Sequence, residues 1–497
     1  MSLEAPGEYP ATTVDTQYAS STQRRSRPSA IIGLVNSTLW TQGLVRPLVK
    51  ALVDAGERVA IFTDRAELWP SEGDYSIERI GPPSSSGDRA RTIAARVAQV
   101  RQRHDRVVLD LTQRGIDSEL PAILLQCDEV WWLVDSQFAD AARRNLSALL
   151  RVEPKLGPRI HLVWVLRENQ RFAPLRPAAL PVADSDFKVV LDDHSAQPSR
   201  AARMSIQRLV RHLLGTTVGL ALGGGGARGL AHLGVLRELD ARGISFDMVA
   251  GTSSGALMGL AYAGGWPPEE ALVQFQEHLT PPRLLRAFPT GVHWYLWLMF
   301  RLDAWDRKLR PYLGDCQLQQ LQIPFSTVAV DLISGNQVVR DTGDAVRAVL
   351  ESANLPIVAK PILRDGMALV DGGVLNNLPT DVLISRGAHF VVGVDVVARL
   401  PQTVGGWTPS VGATIMPRLG LVDVLFRLNE VREHGLAAPR RGAVDLMIAP
   451  DTSRFQFADF SRAFELAEAG AAAAREAAPQ LEQILAARTR RTAVRPI

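Results

Sequence analysis

The sequence predicts an α/β protein built in two successive sections, and three observations predict it. Short runs rich in Val, Ile and Leu alternate with helix-like segments from Ala30 to about Asp192. A second series begins at Thr217, where apolar strand-like runs end in glycine loops that open helical stretches. The chain has 497 residues, 46% hydrophobic and 22% charged, which is ordinary for a globular protein and enough for more than one buried core.

Residues 1–29 (MSLEAPGEYPATTVDTQYASSTQRRSRPS) are polar, carry acids and lack the apolar core of a signal peptide, so they are expected to form a disordered tail. Arg24, Arg25 and Arg27 do precede AIIGLVNSTLW, but Asn36, Ser37 and Thr38 interrupt that run too early for export. A cytoplasmic location is expected, with peripheral contact at the inner membrane face left open. From 30 to 195 the runs AIIGLV, RVAIF, RVVLDL, EVWWLV, RIHLVWVL and KVVLD read as strands, separated by helix-like segments such as LVRPLVKALVDAG and RARTIAARVAQVRQRH. That spacing describes a parallel, Rossmann-like α/β domain. Its first strand ends in NSTLWTQG, with neither G-x-G-x-x-G nor a Walker lysine, so a non-catalytic regulatory or packing role is expected. The Pro-rich LRPAALPVADSD and SAQPSRAAR read as the connection to the second section.

The second section carries the chemistry. LALGGGGARGLAHLGVL places Gly224, Gly225, Gly226, Ala227, Arg228 and Gly229 between a strand (TVGLAL) and a helix running to about Gly243. Successive glycines can turn several backbone N–H groups toward one oxyanion. The same segment fits G-x-G-x-x-G, but a dinucleotide loop requires an acid at the end of the next strand; here Asp247 opens that strand and GTSSG ends it. GTSSGA reads G-x-S-x-G as Gly251, Ser253 and Gly255, with an apolar helical stretch behind it. Flanking glycines permit the sharp turn that lifts a serine hydroxyl clear of a sheet, and the helix N-terminus favours negative charge there. Taken alone this pattern also describes an ordinary Ser/Gly helix start. In ALVDGGVLNNLP a short strand delivers Asp371, followed by Gly372 and Gly373, where the plain alternative is a turn. A Ser, acid, His order would need His389 or His434, and neither has the glycine or loop context that would aim it at a site.

The order GGGGARG, GTSSG, DGG resembles the patatin-like phospholipases over roughly residues 205–400. RLVRHLLGTTVGLALGGGGARGLAHLGVL, FSTVAVDLISGNQVV and DGGVLNNLPTDVLISRGAHFVVGVDV are similar to one branch, that of neuropathy target esterase and its bacterial relatives. The resemblance implies a three-layer α/β/α catalytic domain over 205–450 and a Ser/Asp dyad without histidine. Ser253 would be the nucleophile and Asp371 the general base, with an oxyanion hole at Gly224, Gly225 and Gly226. Arg228 would be a substrate-binding residue beside the hole, its alternative being a solvated first-turn arginine. The substrate class implied is phospholipid or lysophospholipid, hydrolysed at a membrane surface, with no metal and no cofactor. The chain departs from the large members of the branch in lacking length for cyclic-nucleotide-binding domains and a membrane-spanning segment, so nucleotide regulation and stable anchoring are not carried over.

Between Ser253 and Asp371, RAFPTGVHWYLWLMFRLDAW groups Trp294, Tyr295, Trp297, Met299, Phe300 and Trp305. Its apolar core falls well short of the roughly 20 residues that span a bilayer. It reads either as a buried helix covering the site or as an interfacial patch contacting a membrane through Trp294, Trp297 and Phe300. TIMPRLGLVDVLFRLNEVREHGL reads as a helix and VDLMIAP as a closing strand. Residues 451–497 read as a helical extension, which Gly470 and Pro479 would break or kink. Its face of Phe460, Phe464, Ala467 and Ala471 is expected to pack on the domain in preference to a second subunit.

Cys127 and Cys316 lie far apart without metal spacing and read as reduced, buried thiols. A net charge of +3 implies no nucleic-acid partner. Two rival functions stay in view: a catalytically silent lipid- or partner-binding scaffold, and a nucleotide-dependent enzyme using the first section.

Overall fold

The computed structural model describes residues 31–493 except 37–42, 70–72, 81–88, 113–116, 171, 176–181, 184–185, 193–197, 289–290, 303, 357, 398–423, 425–426, 429–430, 433 and 436–443. The expected N-terminal tail lies outside the described residues, as does most of the helix expected over 414–436.

The first sheet has seven strands: β1 (Ile31–Asn36), β2 (Val59–Thr63), β3 (Tyr75–Arg79), β4 (Arg106–Asp110), β5 (Glu129–Asp135), β6 (Ile160–Arg167) and β7 (Phe187–Leu191). They lie in the order β3-β2-β4-β1-β5-β6-β7 and every neighbouring pair is parallel. Central strands are apolar on both faces because helices cover both, which is why EVWWLVD is a continuous apolar run rather than an alternating one. One face packs Trp132, Trp164 and Leu146, and the other packs Trp131, Leu48 and Leu209. The edge strand β3 was not foreseen: YSIER offers no apolar run, and its residues are only half-buried.

The helix Arg200–Leu214 joins the two sections. Ser199 caps its start by accepting from the Ala202 amide, and Gly215, at φ 63°, closes its end in the left-handed conformation that glycine tolerates. Its apolar face lies on the first sheet through Ile206, Leu209 and Leu213. Its polar side reaches the second section, with Arg211 gripping Asp247 at 2.8 and 3.0 Å. Of the Pro-rich stretches expected to connect the sections, LRPAALPVADSD instead falls between β6 and β7 of a single sheet, since β7 returns to pair with β6.

The second sheet contains β8 (Val218–Leu222), β9 (Met248–Thr252), β10 (Phe325–Asp331), β11 (Gln337–Arg340), β12 (Ile362–Arg364), β13 (Met367–Asp371), β14 (Phe390–Val394) and β15 (Leu446–Ile448). Its path is β12-β13-β10-β9-β8-β14-β15, with β11 on β10. Strands β10, β9, β8, β14 and β15 form a parallel core, and β11, β12 and β13 an antiparallel margin. One face is covered by the helices Ala231–Ala241, Ser254–Ala263, Ala345–Ser352 and Ala463–Ala493, and the other by Thr380–Ser385. This is the three-layer α/β/α arrangement expected from the sequence.

The C-terminal helix Ala463–Ala493 runs unbroken through Gly470 and Pro479, contrary to expectation. Pro479 is exposed, so water can meet the Arg475 carbonyl that its missing N–H leaves. Gly470 marks a close crossing with the helix Ala231–Ala241: a methyl there would overlap the Ala231 carbonyl, and one at Gly234 would overlap the Ala467 carbonyl. Ala467 and Ala471 are buried on this contact, whereas Phe464 is 53% exposed and does not belong to the packed face.

Candidate active site

Strand β9 ends at Thr252, and the chain turns within one residue into the helix Ser254–Ala263. Ser253 is that turn, at φ 55° and ψ −123°, a conformation costing a non-glycine residue on the order of 1–3 kcal/mol. Glycine on either side makes it feasible, because a methyl at Gly255 would overlap the Leu222 carbonyl and one at Gly251 would crowd the Gly255 carbonyl. The strained peptide is held from β10: the Ser253 N–H donates to Ser352 Oγ at 3.0 Å, and that hydroxyl donates to the Val328 carbonyl at 2.6 Å.

Only β10 separates the serine from the acid. Thr252 lies opposite Val328 on one side of β10, and Asp371, the last residue of β13, lies opposite Ala329 on the other. Ser253 Oγ donates to Asp371 Oδ2 at 2.6 Å, and the Gly373 N–H donates to Oδ1 at 2.8 Å. Gly372 passes so near the Val328 carbonyl that no side chain would fit, and this tight passage turns the carboxylate inward. Burial pushes the Asp371 carboxyl up to about 6, against the opposing pull of the Ser253 and Gly373 hydrogen bonds and the Arg432 charge.

Strand β8 delivers the glycine loop beside the serine, with a β-carbon at Gly224 falling 3.0 Å from Ser253 Cβ. The three glycines are not equivalent. The Gly224 N–H already donates to the Asn377 carbonyl at 3.2 Å, which corrects the expectation that it faces an oxyanion. Among the described residues no protein acceptor takes the Gly225 or Gly226 N–H. Gly226, at φ 60°, begins a 3₁₀ turn, Gly226–Leu230. Over Ser253 opens a cavity of about 80 Å³, lined by Gly226, Ser254, Leu257, Met258, Leu279, Trp305, Leu309, Val349, Leu350, Leu355, Phe457 and Phe460. Its wall is almost wholly apolar and suited to hydrocarbon.

The patatin-like phospholipase family matches residues 220–384, the stretch that holds the glycine loop, Ser253 and Asp371. An NTE family protein of Mycobacterium tuberculosis is 28% identical over 475 residues, covering 91% of this chain and 74% of that one. Human patatin-like phospholipase domain-containing protein 6 is 30% identical over 281 residues, 52% of this chain and 20% of its own length. A lysophospholipase of Mycosarcoma maydis is 34% identical over 202 residues, 41% of this chain and 11% of its own. Residues 220–384 thus match a patatin-like phospholipase domain, and the chain is similar to proteins of the neuropathy target esterase branch. The branch is one of lipid-hydrolysing esterases.

Within this patatin fold Arg228 departs from both readings of the sequence. It neither faces the pocket nor meets solvent: it is 1% exposed, and its Nε donates to the Phe455 carbonyl at 3.1 Å. Together with the Ala227 N–H, which donates to the Phe457 carbonyl at 2.8 Å, it fastens the glycine turn to the loop that walls the cavity. His389 Nδ1 pairs with Thr217 Oγ1 at 2.8 Å, and His434 Nδ1 accepts or donates nothing to the dyad but lies 3.0 Å from the Val397 carbonyl. A third histidine, His232, escapes a search confined to residues after Asp371. It is fully buried behind the glycine loop, with Nε2 2.7 Å from the Gly223 carbonyl. Burial pushes its pKa down to about 4, so it is neutral at pH 7 and its proton sits on Nε2, the nitrogen facing the carbonyl. Among the described residues no cluster of His, Cys, Asp or Glu side chains could hold a metal ion.

The aromatic helix Gly291–Arg301 divides between its two sequence readings. Tyr295 and Met299 are buried, and Trp305 just beyond the helix lines the cavity, while Trp294 and Trp297 are 61% and 40% exposed and stack edge to face. The Phe300 side chain lies outside the described residues. Among the described residues no helix is long and apolar enough to cross a membrane.

Proposed function

We propose that the protein hydrolyses an acyl ester of a lysophospholipid or phospholipid through an acyl-enzyme intermediate. The observation that carries this reading is the 2.6 Å bond from Ser253 Oγ to Asp371 Oδ2 at the wall of an apolar cavity. Asp371 takes the Ser253 proton as Oγ attacks the ester carbonyl. The Gly225 and Gly226 N–H groups meet the oxyanion, and the helix Ser254–Ala263 adds positive potential at its N-terminus. Collapse of the tetrahedral intermediate expels the glycerol oxygen, which takes the proton back from Asp371. Water, deprotonated by the same carboxylate, then attacks the acyl-serine; the fatty acid is released as Ser253 Oγ leaves and recovers its proton from Asp371. A carboxylate raised toward neutrality is a stronger base than an exposed one, which suits it to this role without histidine. The catalytic unit in this reading is the second section, residues 205–450, followed by a helical extension over 451–497. The first section, 30–195, serves as a non-catalytic regulatory or packing domain. In this reading the protein is cytoplasmic, and its exposed indoles Trp294 and Trp297 make transient contact with the inner face of the membrane.

The test is labelling with a fluorophosphonate serine probe, wild type beside Ser253→Ala and Asp371→Asn, with fatty acid release from lysophosphatidylcholine followed in parallel. Labelling lost in Ser253→Ala, with release lost in both variants, is the expected result. A folded wild type that neither labels nor releases fatty acid would overturn it in favour of a lipid-binding scaffold.

A further inference from the structure

Once the Gly224 N–H is engaged, the donors left for an oxyanion are the next two amides, and something must aim them. A peptide plane is rigid, so the carbonyl of one residue fixes the direction of the N–H that follows it. The direction of the Gly225 N–H is therefore set by whatever holds the Gly224 carbonyl. That partner is Asn377: its Nδ2 donates to the Gly224 carbonyl at 3.3 Å, while its own main-chain carbonyl accepts the Gly224 N–H at 3.2 Å. Both ends of Gly224 are thus gripped by one residue that has no exposed surface. Only the amide nitrogen of Asn377 can face that carbonyl, since the amide oxygen would repel it. One peptide earlier the Gly223 carbonyl is held by His232 Nε2, and the Gly223 N–H donates to the Val394 carbonyl at 3.0 Å.

Asn377 also sits on the segment that carries the proposed base. Between Asp371 and Asn377 the chain makes one tight turn, closed by the Asn376 N–H donating to the Gly372 carbonyl at 2.8 Å. The Asn376 carbonyl accepts from Thr252 Oγ1 at 2.8 Å, immediately before Ser253. Seven residues of chain, Asp371 to Asn377, thus hold the base, the approach to the nucleophile and the glycine loop in one hydrogen-bonded unit.

From this geometry we infer that Asn377 is a positioning residue of the reaction, aiming the Gly225 N–H at the oxyanion. The inference rests on the serine hydrolase reading above. Its test is Asn377→Asp, which keeps the shape and removes the donor, with Asn377→Ala as a second variant that adds no charge should the first fail to fold. Rates on a soluble activated ester are normalised to the sites that react with a fluorophosphonate, so that a misfolded fraction drops out. Loss of aim at one oxyanion donor is expected to lower kcat by about 10- to 100-fold per active site, with KM within about twofold. His232→Gln, which can present an N–H near the position of Nε2, is expected to retain more activity than His232→Leu. An unchanged kcat per labelled site in both Asn377 variants overturns the inference while leaving the hydrolase reading intact. A rise in KM at constant kcat also overturns it, placing Asn377 in binding instead. A wild type that neither labels nor turns over overturns both.

Discussion

Ser253 Oγ and Asp371 Oδ2 lie 2.6 Å apart although 118 residues separate them, and the two side chains are 7% and 3% exposed. A carboxylate so placed has exchanged most of its hydration for two donors, the serine hydroxyl and the Gly373 amide. That exchange raises the carboxyl above its ordinary range, to about 6, and links the chemistry of the site to its stability.

Hydrolysis of a neutral ester by the wild type should rise with pH through an apparent pKa near 6, because only the ionised Asp371 can accept the serine proton. Asp371→Asn is expected to lose about 10²- to 10⁴-fold in kcat and the pH dependence with it. A pH–rate profile of kcat/KM checks both; a wild-type profile flat from pH 5 to 8 would remove Asp371 from the role of base.

The same shift has an opposite sign for folding. Asp371 holds its proton more tightly folded than unfolded, so its contribution to stability is fully present below about pH 4 and is lost as pH rises through about 6. Asp371→Asn should therefore be more stable than wild type at pH 8, by on the order of 2 kcal/mol, and the advantage should vanish near pH 3.5. Denaturant melts at the two pH values decide it.

Ser253 carries a second store of strain in its backbone. Glycine reaches φ 55° without a β-carbon penalty, whereas alanine does not. Both Ser253→Gly and Ser253→Ala should be inactive, but the glycine variant should be more stable than the alanine variant by roughly 1 kcal/mol or more. Equal midpoints of unfolding would mean that the elbow is not strained.

At the crossing of Ala231–Ala241 with Ala463–Ala493 the usual effect of a helical glycine should reverse. In an exposed helix Gly→Ala stabilises by about 1 kcal/mol. Here Gly470→Ala or Gly234→Ala would force two backbones apart, so each is expected to destabilise by about 1–3 kcal/mol. Since the helix Ala231–Ala241 also carries His232, the Gly234 variant should lose activity along with stability, as thermal melts and ester hydrolysis together would reveal.

The strands of the first sheet were legible where burial on both faces writes a continuous apolar run, and illegible at the half-buried edge β3. The serine and the acid were legible because a sharp turn needs glycines at fixed offsets, and Gly251, Gly255 and Gly372 all stand against backbone carbonyls. What sequence could not separate was the use of each glycine amide, since GGGG gives no sign that Gly224 is already bonded to Asn377, 153 residues away. Arg228 failed for a related reason: an arginine in a first turn reads as solvated or substrate-facing, and only the fold places Phe455 over it. Gly470 read as a helix breaker because local propensity carries no information about a partner helix.

If the proposed membrane contact is made, the exposed indoles should carry it. Around them Leu284, Phe288, Leu298 and Leu302 are also exposed, while Tyr295 and Met299 on the opposite side are buried, Tyr295 edge to face with Trp305 of the cavity wall. Arg283, Arg286 and Arg301 are exposed in the same stretch, and residues 281–302 contain no acid. Apolar bulk with cationic charge is the composition of a surface that settles into the headgroup region of an anionic bilayer. Replacing Trp294 and Trp297 together by Ala is expected to weaken binding to phosphatidylglycerol vesicles about tenfold or more, and Gln in place of Arg283 and Arg286 by about fivefold per charge. Turnover of a soluble short-chain ester should hold within twofold in these variants, because none of the four residues lines the cavity. Equal losses on vesicles and on the soluble ester would instead assign the two indoles to packing of the helix over the site.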